Sequence, residues 1–298
     1  MKNTTACLLV ASAALFVFLY GCTRNLVANP PATAESQALS DDLLNRGFAH
    51  AIEGESQKAI SDFSKVLELD PANGSCYYHR ALLWSRIGNF DRAMADLDNA
   101  LAIQPKNASA YTERAIVLVK AGKYEQASSD FTQALDLDPV NEKAYNGRGV
   151  LRAKTGQYDL AITDFNTAID LNPDYDMPYN NRAIVWTYTS DYSRAMNDYT
   201  TSLRLNPTRA IAHNGRGLLW ALKGLPKRAL ADLNRAIEID PAYAQAYFNR
   251  SRTWVQLGRL DLALKDIEKA IRLEPGKKAY KEMAVYLSSR MNDPAEPL

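Results

Sequence analysis

One proline recurs every 34 residues along most of the chain: Pro71, Pro105, Pro139, Pro173, Pro207, Pro241 and Pro275. Taking each as position 32 divides residues 40–277 into seven units without insertion or deletion: 40–73, 74–107, 108–141, 142–175, 176–209, 210–243 and 244–277. Position 8 is always small (Gly47, Ala81, Ala115, Gly149, Ala183, Gly217, Ser251), with large residues at positions 4 and 11 on either side. A second stripe opens on alanine at position 20 (Ala59, Ala93, Ala127, Ala161, Ala195, Ala229, Ala263) and continues through apolar positions 24, 27 and 30. Spacings of three and four put each set on one helical face. Glycine near position 15 (Gly54, Gly88, Gly122, Gly156, Gly224, Gly258) separates the two stripes. Proline at position 32 ends the second, because it lacks an N–H and clashes with the preceding turn. The pattern predicts two amphipathic helices per unit, packed closely where the small residues meet.

Seven in-register copies of this pattern resemble the tetratricopeptide repeat. The resemblance implies an all-α fold, a right-handed superhelical solenoid of seven helix-turn-helix units, since no unit can bury both of its faces alone. Residues 278–298 read as a capping helix and tail, with Tyr280, Met283, Ala284 and Leu287 forming its apolar stripe.

Residues 1–21 lie outside the grid. Lys2 is the only charge before an apolar run at 6–20, whose 15 residues suit a signal-peptide core better than a bilayer span of about 20. The run ends in Leu19, Tyr20, Gly21 and Cys22, which resembles the lipobox of bacterial lipoproteins, although Tyr20 departs from the small or β-branched residue usual there. The resemblance implies attachment of diacylglycerol to Cys22 through a thioether, then cleavage before it and acylation of the new amine. Each buried methylene contributes roughly 0.8 kcal/mol, so two or three chains anchor firmly. An uncleaved helical anchor and a plain signal peptide are the alternatives. Thr23 stands where such proteins carry Asp for inner-membrane retention, which implies the outer membrane of a bacterial envelope, facing the periplasm. Residues 22–39, including Pro30 and Pro31, are expected to form a flexible tether.

Composition changes this picture only by exclusion. With 35 basic and 34 acidic side chains, the charge gives no electrostatic footprint for nucleic acid. Three Cys, of which Cys7 falls in the signal and Cys22 is the lipidation site, leave Cys76 without a disulfide partner. Three separated His give no metal-ligand spacing, and neither a metal nor a cofactor is expected.

Most aromatic residues belong to the repeated core. Trp84, Trp186, Trp220 and Trp254 all occupy position 11, and Tyr77, Tyr111, Tyr145, Tyr179 and Tyr247 share position 4, where His213 stands in unit six. His50 takes position 11 in unit one. Position 7 is arginine throughout (Arg46, Arg80, Arg114, Arg148, Arg182, Arg216, Arg250) and position 23 aspartate throughout (Asp62, Asp96, Asp130, Asp164, Asp198, Asp232, Asp266). The planar guanidinium fork matches a carboxylate, so the two series are expected to pair across a helix contact as a structural ladder. An anion-binding track of arginines would leave the aspartates unexplained.

In the tetratricopeptide family, positions 2, 5, 9 and 12 line the concave surface. Position 9 here holds Phe48, Leu82, Ile116, Val150, Ile184 and Leu218, with Arg252 in the last unit; position 5 holds Asn146, Asn180 and Asn214 in units four to six. An apolar stripe beside amides that both donate and accept suits an extended peptide. The bland alternative is a stripe partly buried by superhelical packing, with the Asn side chains merely solvated. The family's clamp for chaperone C-termini is not assembled by Lys143 and the scattered Asn. The resemblance therefore implies a non-enzymatic, lipid-anchored scaffold for other envelope proteins, as in lipoproteins that serve envelope enzymes, secretion systems or pili. A carrier of a small molecule or cell-wall glycan, and a glycan-acting enzyme, are the other classes; no catalytic constellation stands out.

Overall fold

The computed structural model describes residues 34–292, and all the regular elements among them are helices. Helices α1 (Ala34–Ile52) and α2 (Ser56–Leu69) make the first repeat. They are followed by α3 (Gly74–Arg86), α4 (Phe90–Ile103), α5 (Ala108–Lys120), α6 (Tyr124–Leu137), α7 (Glu142–Lys154) and α8 (Tyr158–Leu171). The series continues with α9 (Asp176–Tyr188), α10 (Tyr192–Leu205), α11 (Ala210–Leu222), α12 (Pro226–Ile239), α13 (Ala244–Gln256), α14 (Leu260–Leu273) and α15 (Lys278–Asn292). The chain is an all-α repeat solenoid, with odd-numbered first helices and even-numbered second helices.

Local chemistry sets the boundaries. Gly54, Gly88, Gly122, Gly156, Gly224 and Gly258 adopt positive φ after the first helix, the left-handed conformation that a side chain disfavours. In repeat five Ser190 takes that place with φ 64°, the one non-glycine residue with positive φ among those described. After the second helix, Asp70, Asp138, Asn172, Asn206 and Asp240 each accept the N–H two residues on, closing the turn that carries the proline.

α1 begins at Ala34, so residues 34–39 are helical where the sequence led us to expect part of a tether. Ala-Glu-Ser-Gln-Ala-Leu is rich in good helix formers, Glu35 lies in the favourable first turn, and Gln37 donates to Asp41 at 3.0 Å. The signal, Leu19, Tyr20, Gly21, Cys22 and the remainder of the tether lie outside the described residues, as does the tail after Asn292.

The molecule divides into two compact units between Cys76 and Tyr77. In the first, α1 packs on α2 around Leu43, Ala59, Phe63, Val66 and Leu67. Gly47 is required there: a Cβ would lie 2.6 Å from a Phe63 ring carbon. In the second, each first helix from α5 onward packs on its own second helix, and each second helix on the next first helix, ending with α14 on α15. Successive first helices from α5 to α13 also touch, so their outward faces form one wall. α15 buries Tyr280 and Leu287, half-buries Met283 and Ala284, and leaves Val285 exposed, as a cap with no second helix of its own among the described residues.

Candidate functional site: the first-helix wall and a cleft between repeats four and five

The Arg and Asp series pair in every repeat. Arg46–Asp62, Arg80–Asp96, Arg114–Asp130, Arg148–Asp164, Arg182–Asp198, Arg216–Asp232 and Arg250–Asp266 each form two hydrogen bonds, through Nε and one terminal nitrogen, at 2.6–3.1 Å. These bonds bolt a first helix to the second helix of the same repeat. The guanidinium also lies over the position-4 tyrosine ring at 5.3–5.7 Å in five repeats of the second unit. Arg114, Arg182 and Arg250 use a third nitrogen to reach back one repeat, to Asp98, Asn166 and Asn234. The tie thus recurs in repeats three, five and seven.

Position 11 is a second paired feature. Trp84, Trp186 and Trp220 lie under Arg92, Arg194 and Arg228 at 4.5–4.9 Å. Repeat four replaces that Trp by Arg152, which donates to Asp164 at 2.7 Å, so this carboxylate holds two guanidinium groups. The two histidines at core positions are polar partners rather than simple aromatic substitutes. His50 contacts Asp62 at 3.1 Å, and His213 lies between Asp232 (3.0 Å) and the Pro207 carbonyl (3.1 Å). Burial works against ionised Asp232, but the hydrogen bonds from Arg216 and His213 outweigh it and hold its carboxyl below the usual range.

The wall itself differs from the sequence reading in one respect. Ile116, Val150, Ile184 and Leu218 are half-buried on it, as Leu82 is on α3; in the first unit, Phe48 packs edge-on against Phe63 at 5.3 Å. Asn146, Asn180 and Asn214, however, are only 5%, 3% and 7% exposed. Asn146 donates to the Tyr175 hydroxyl (3.4 Å) and accepts from Asn181 (3.0 Å); Asn214 donates to Tyr243 (3.3 Å) and accepts from Asn249 (2.8 Å). These amides therefore do not stand free for a peptide backbone, because the position-34 tyrosine of their own repeat and an Asn of the next repeat occupy them. Repeat five has Arg209 at position 34, paired to Asp176, and there the Asn180 carbonyl oxygen has no hydrogen-bond partner.

Sequence reasoning passed over position 6, which in repeat five is the half-buried Asn181. Asn181 lines a cleft of about 410 Å³ between α7, α8 and α9. Phe165 and Val185 form its buried floor, and Val150, Ala153 and Ile184 its apolar walls. At the rim the Tyr158 and Tyr188 rings face each other, 6.4 Å apart and 17° from parallel, beside Lys154. Tyr188 is 74% exposed, and the strained Ser190 follows two residues later. Position 6 of repeat three is Glu113, whose carboxyl burial pushes up while Lys143 and Lys120 oppose the shift. No group of three or more metal-ligating side chains occurs among the described residues, and no helix there is long and apolar enough to cross a membrane.

The family profile described as Tetratricopeptide repeat matches residues 49–108, 112–176 and 188–244, and a second profile of the same description matches 244–277. The chain belongs to the tetratricopeptide repeat family. Similar solved structures include a tetratricopeptide repeat protein from Parabacteroides merdae, at 21% identity and TM-score 0.63, covering 84% of this chain and 99% of that one. The pilF protein of Pseudomonas aeruginosa is 22% identical, with TM-score 0.62 and coverage of 73% and 98%. A chain of the APC/C hetero-tetramer Cut9–Hcn1 is 14% identical with TM-score 0.69; the alignment covers 82% of this chain and 55% of that one. At these identities the likeness concerns the fold. No curated protein sequence matches the chain. A tetratricopeptide fold suggests a protein–protein interaction scaffold, and proteins of this family are generally non-enzymatic.

Proposed function

We propose that this protein is a lipid-anchored scaffold of the bacterial envelope that holds an extended segment of a partner protein along its first-helix wall. The observation that carries the groove reading is the cleft between repeats four and five, walled by Val150 and Ile184; Ile116 and Leu218 are half-buried at the same position of the neighbouring repeats. With first helices about 8–10 Å apart and an extended chain advancing about 3.3 Å per residue, every third residue of the segment meets a new helix. Apolar burial at those points supplies the affinity.

The apolar run at 6–20 followed by Cys22 supports anchoring, and Thr23 supports the outer membrane. Metabolic labelling with an alkyne fatty acid tests the anchor: label on the wild type and none on Cys22→Ser is expected, and equal labelling refutes it. For the groove, crosslinked partners of the wild type are compared with those of Ile116→Thr/Ile184→Thr. Identical partner sets for two equally folded proteins would sink the groove reading, and selective retention of purified cell-wall fragments would favour a glycan carrier.

A further inference from the structure

We infer that the cleft between repeats four and five is a pocket for a planar apolar side chain, Phe, Tyr or Trp, flanked in the bound segment by a carboxylate. The inference rests on the groove reading above and names what the segment must carry. Three observations lead to it. The cleft is walled and floored by apolar side chains, and Lys154 is the one charged residue lining it, so its charge complement is an acid. Tyr158 and Tyr188 present nearly parallel ring faces at its mouth, a surface on which another planar group packs.

The third observation comes from the equivalent joint between repeats six and seven. The same scaffold bonds are made there: Asn249 to Asn214 matches Asn181 to Asn146, and Arg250 to Asn234 matches Arg182 to Asn166. Yet Leu222, Pro226 and Gln256 occupy the places of Lys154, Tyr158 and Tyr188. Joining two repeats therefore requires neither the tyrosine pair nor the lysine. Tyr158 also packs on the Phe165 and Val185 cluster, whereas Lys154 and Tyr188 are exposed, and Tyr188, largely in solvent, buries little of its own ring. The Asn181–Asn146 and Arg182–Asn166 bonds fix α9 against α7 and α8, so the pocket is pre-formed and the guest alone loses conformational freedom.

The probe is a fluorescein-labelled peptide, Gly-Glu-Phe-Glu-Gly, with Gly-Glu-Ala-Glu-Gly and Gly-Lys-Phe-Lys-Gly as controls, titrated with the full chain and read by fluorescence anisotropy. Saturable binding of the first probe is expected, about tenfold weaker with Tyr188→Ala, as about 1.4 kcal/mol of ring contact implies. Lys154→Glu is expected to reverse the preference toward the Lys-Phe-Lys probe, and added salt to weaken the acidic one. Unchanged thermal unfolding of both variants confirms that the fold is intact. Absence of saturable binding, or binding indifferent to both variants, overturns the assignment. Peptide display on the full chain separates the two levels of the proposal. Captured segments insensitive to Tyr188→Ala and Lys154→Glu but lost in Ile116→Thr/Ile184→Thr leave the groove standing and remove the pocket, whereas capture of no segment removes both.

Discussion

Asp164 offers the sharpest test of what the paired charges do. It is 2% exposed and accepts from Arg148 Nε (3.1 Å), Arg148 Nη2 (2.8 Å) and Arg152 Nη1 (2.7 Å). Asp164→Ala leaves two guanidinium groups facing a vacated acceptor. Removing one partner of a buried pair costs about 3–5 kcal/mol. The Arg148 and Arg152 side chains keep 21% and 25% exposure, so water recovers part of their solvation and the lower end, about 3 kcal/mol, applies. Urea unfolding followed by circular dichroism reads the loss, and hydrogen exchange on α7 and α8 localises it, since a repeat array need not unfold in one step. Exposed Asp159→Ala is the control, with a change within about 0.5 kcal/mol. Arg148→Met/Arg152→Leu/Asp164→Leu, which removes all three charges, is expected to recover most of the loss. An Asp164→Ala protein as stable as Asp159→Ala would refute the argument, and so would a triple variant weaker than the single one.

Three further outcomes follow from particular residues. Ser190→Gly relieves a left-handed side chain and should stabilise the protein by about 1 kcal/mol in thermal unfolding; no gain would mean the turn is not strained. Gly149→Ala puts a Cβ 2.6 Å from a ring carbon of fully buried Phe165, so a loss of about 1–3 kcal/mol by urea unfolding is expected, and a neutral result would show that α8 yields freely. Glu113 has a folded pKa above its unfolded value, so its ionised form opposes folding at neutral pH and ceases to do so once both states are protonated. Glu113→Gln should therefore unfold later than wild type at pH 7, with the gap closing below about pH 4; a gap independent of pH contradicts burial as the cause.

The repeat was legible because its physics is local and multiplied. A proline that stops a helix, a glycine that turns the chain and small residues where helices meet recur at one spacing, so seven weak signals became one strong one. The Arg and Asp series could be matched for the same reason: two charges co-occurring at fixed offsets in every unit have one economical geometry. The Asn series misled because position 5 looks outward only when its own repeat is considered. Tyr175 and Tyr243 come back from the end of the repeat, and Asn181 and Asn249 from the next, to cover it. The cleft was not legible either. It depends on Tyr158 and Tyr188, 30 residues apart in different repeats, facing each other at one rim. Nor does the 34-residue grid extend to 34–39, where ordinary helix propensity prolongs α1.

The third arginine bond gives the second unit a longer period than its fold. It links repeat three back to two, five to four and seven to six, and the Asn181–Asn146 and Asn249–Asn214 bonds reinforce the last two of these joints. Among the described residues the intervening joints lack that arginine bond; between repeats five and six, His213 contacts the Pro207 carbonyl. Residues 77–277 thus carry these ties with a 68-residue beat. The side-chain chemistry of this unit therefore repeats every second repeat, at twice the 34-residue period of its fold.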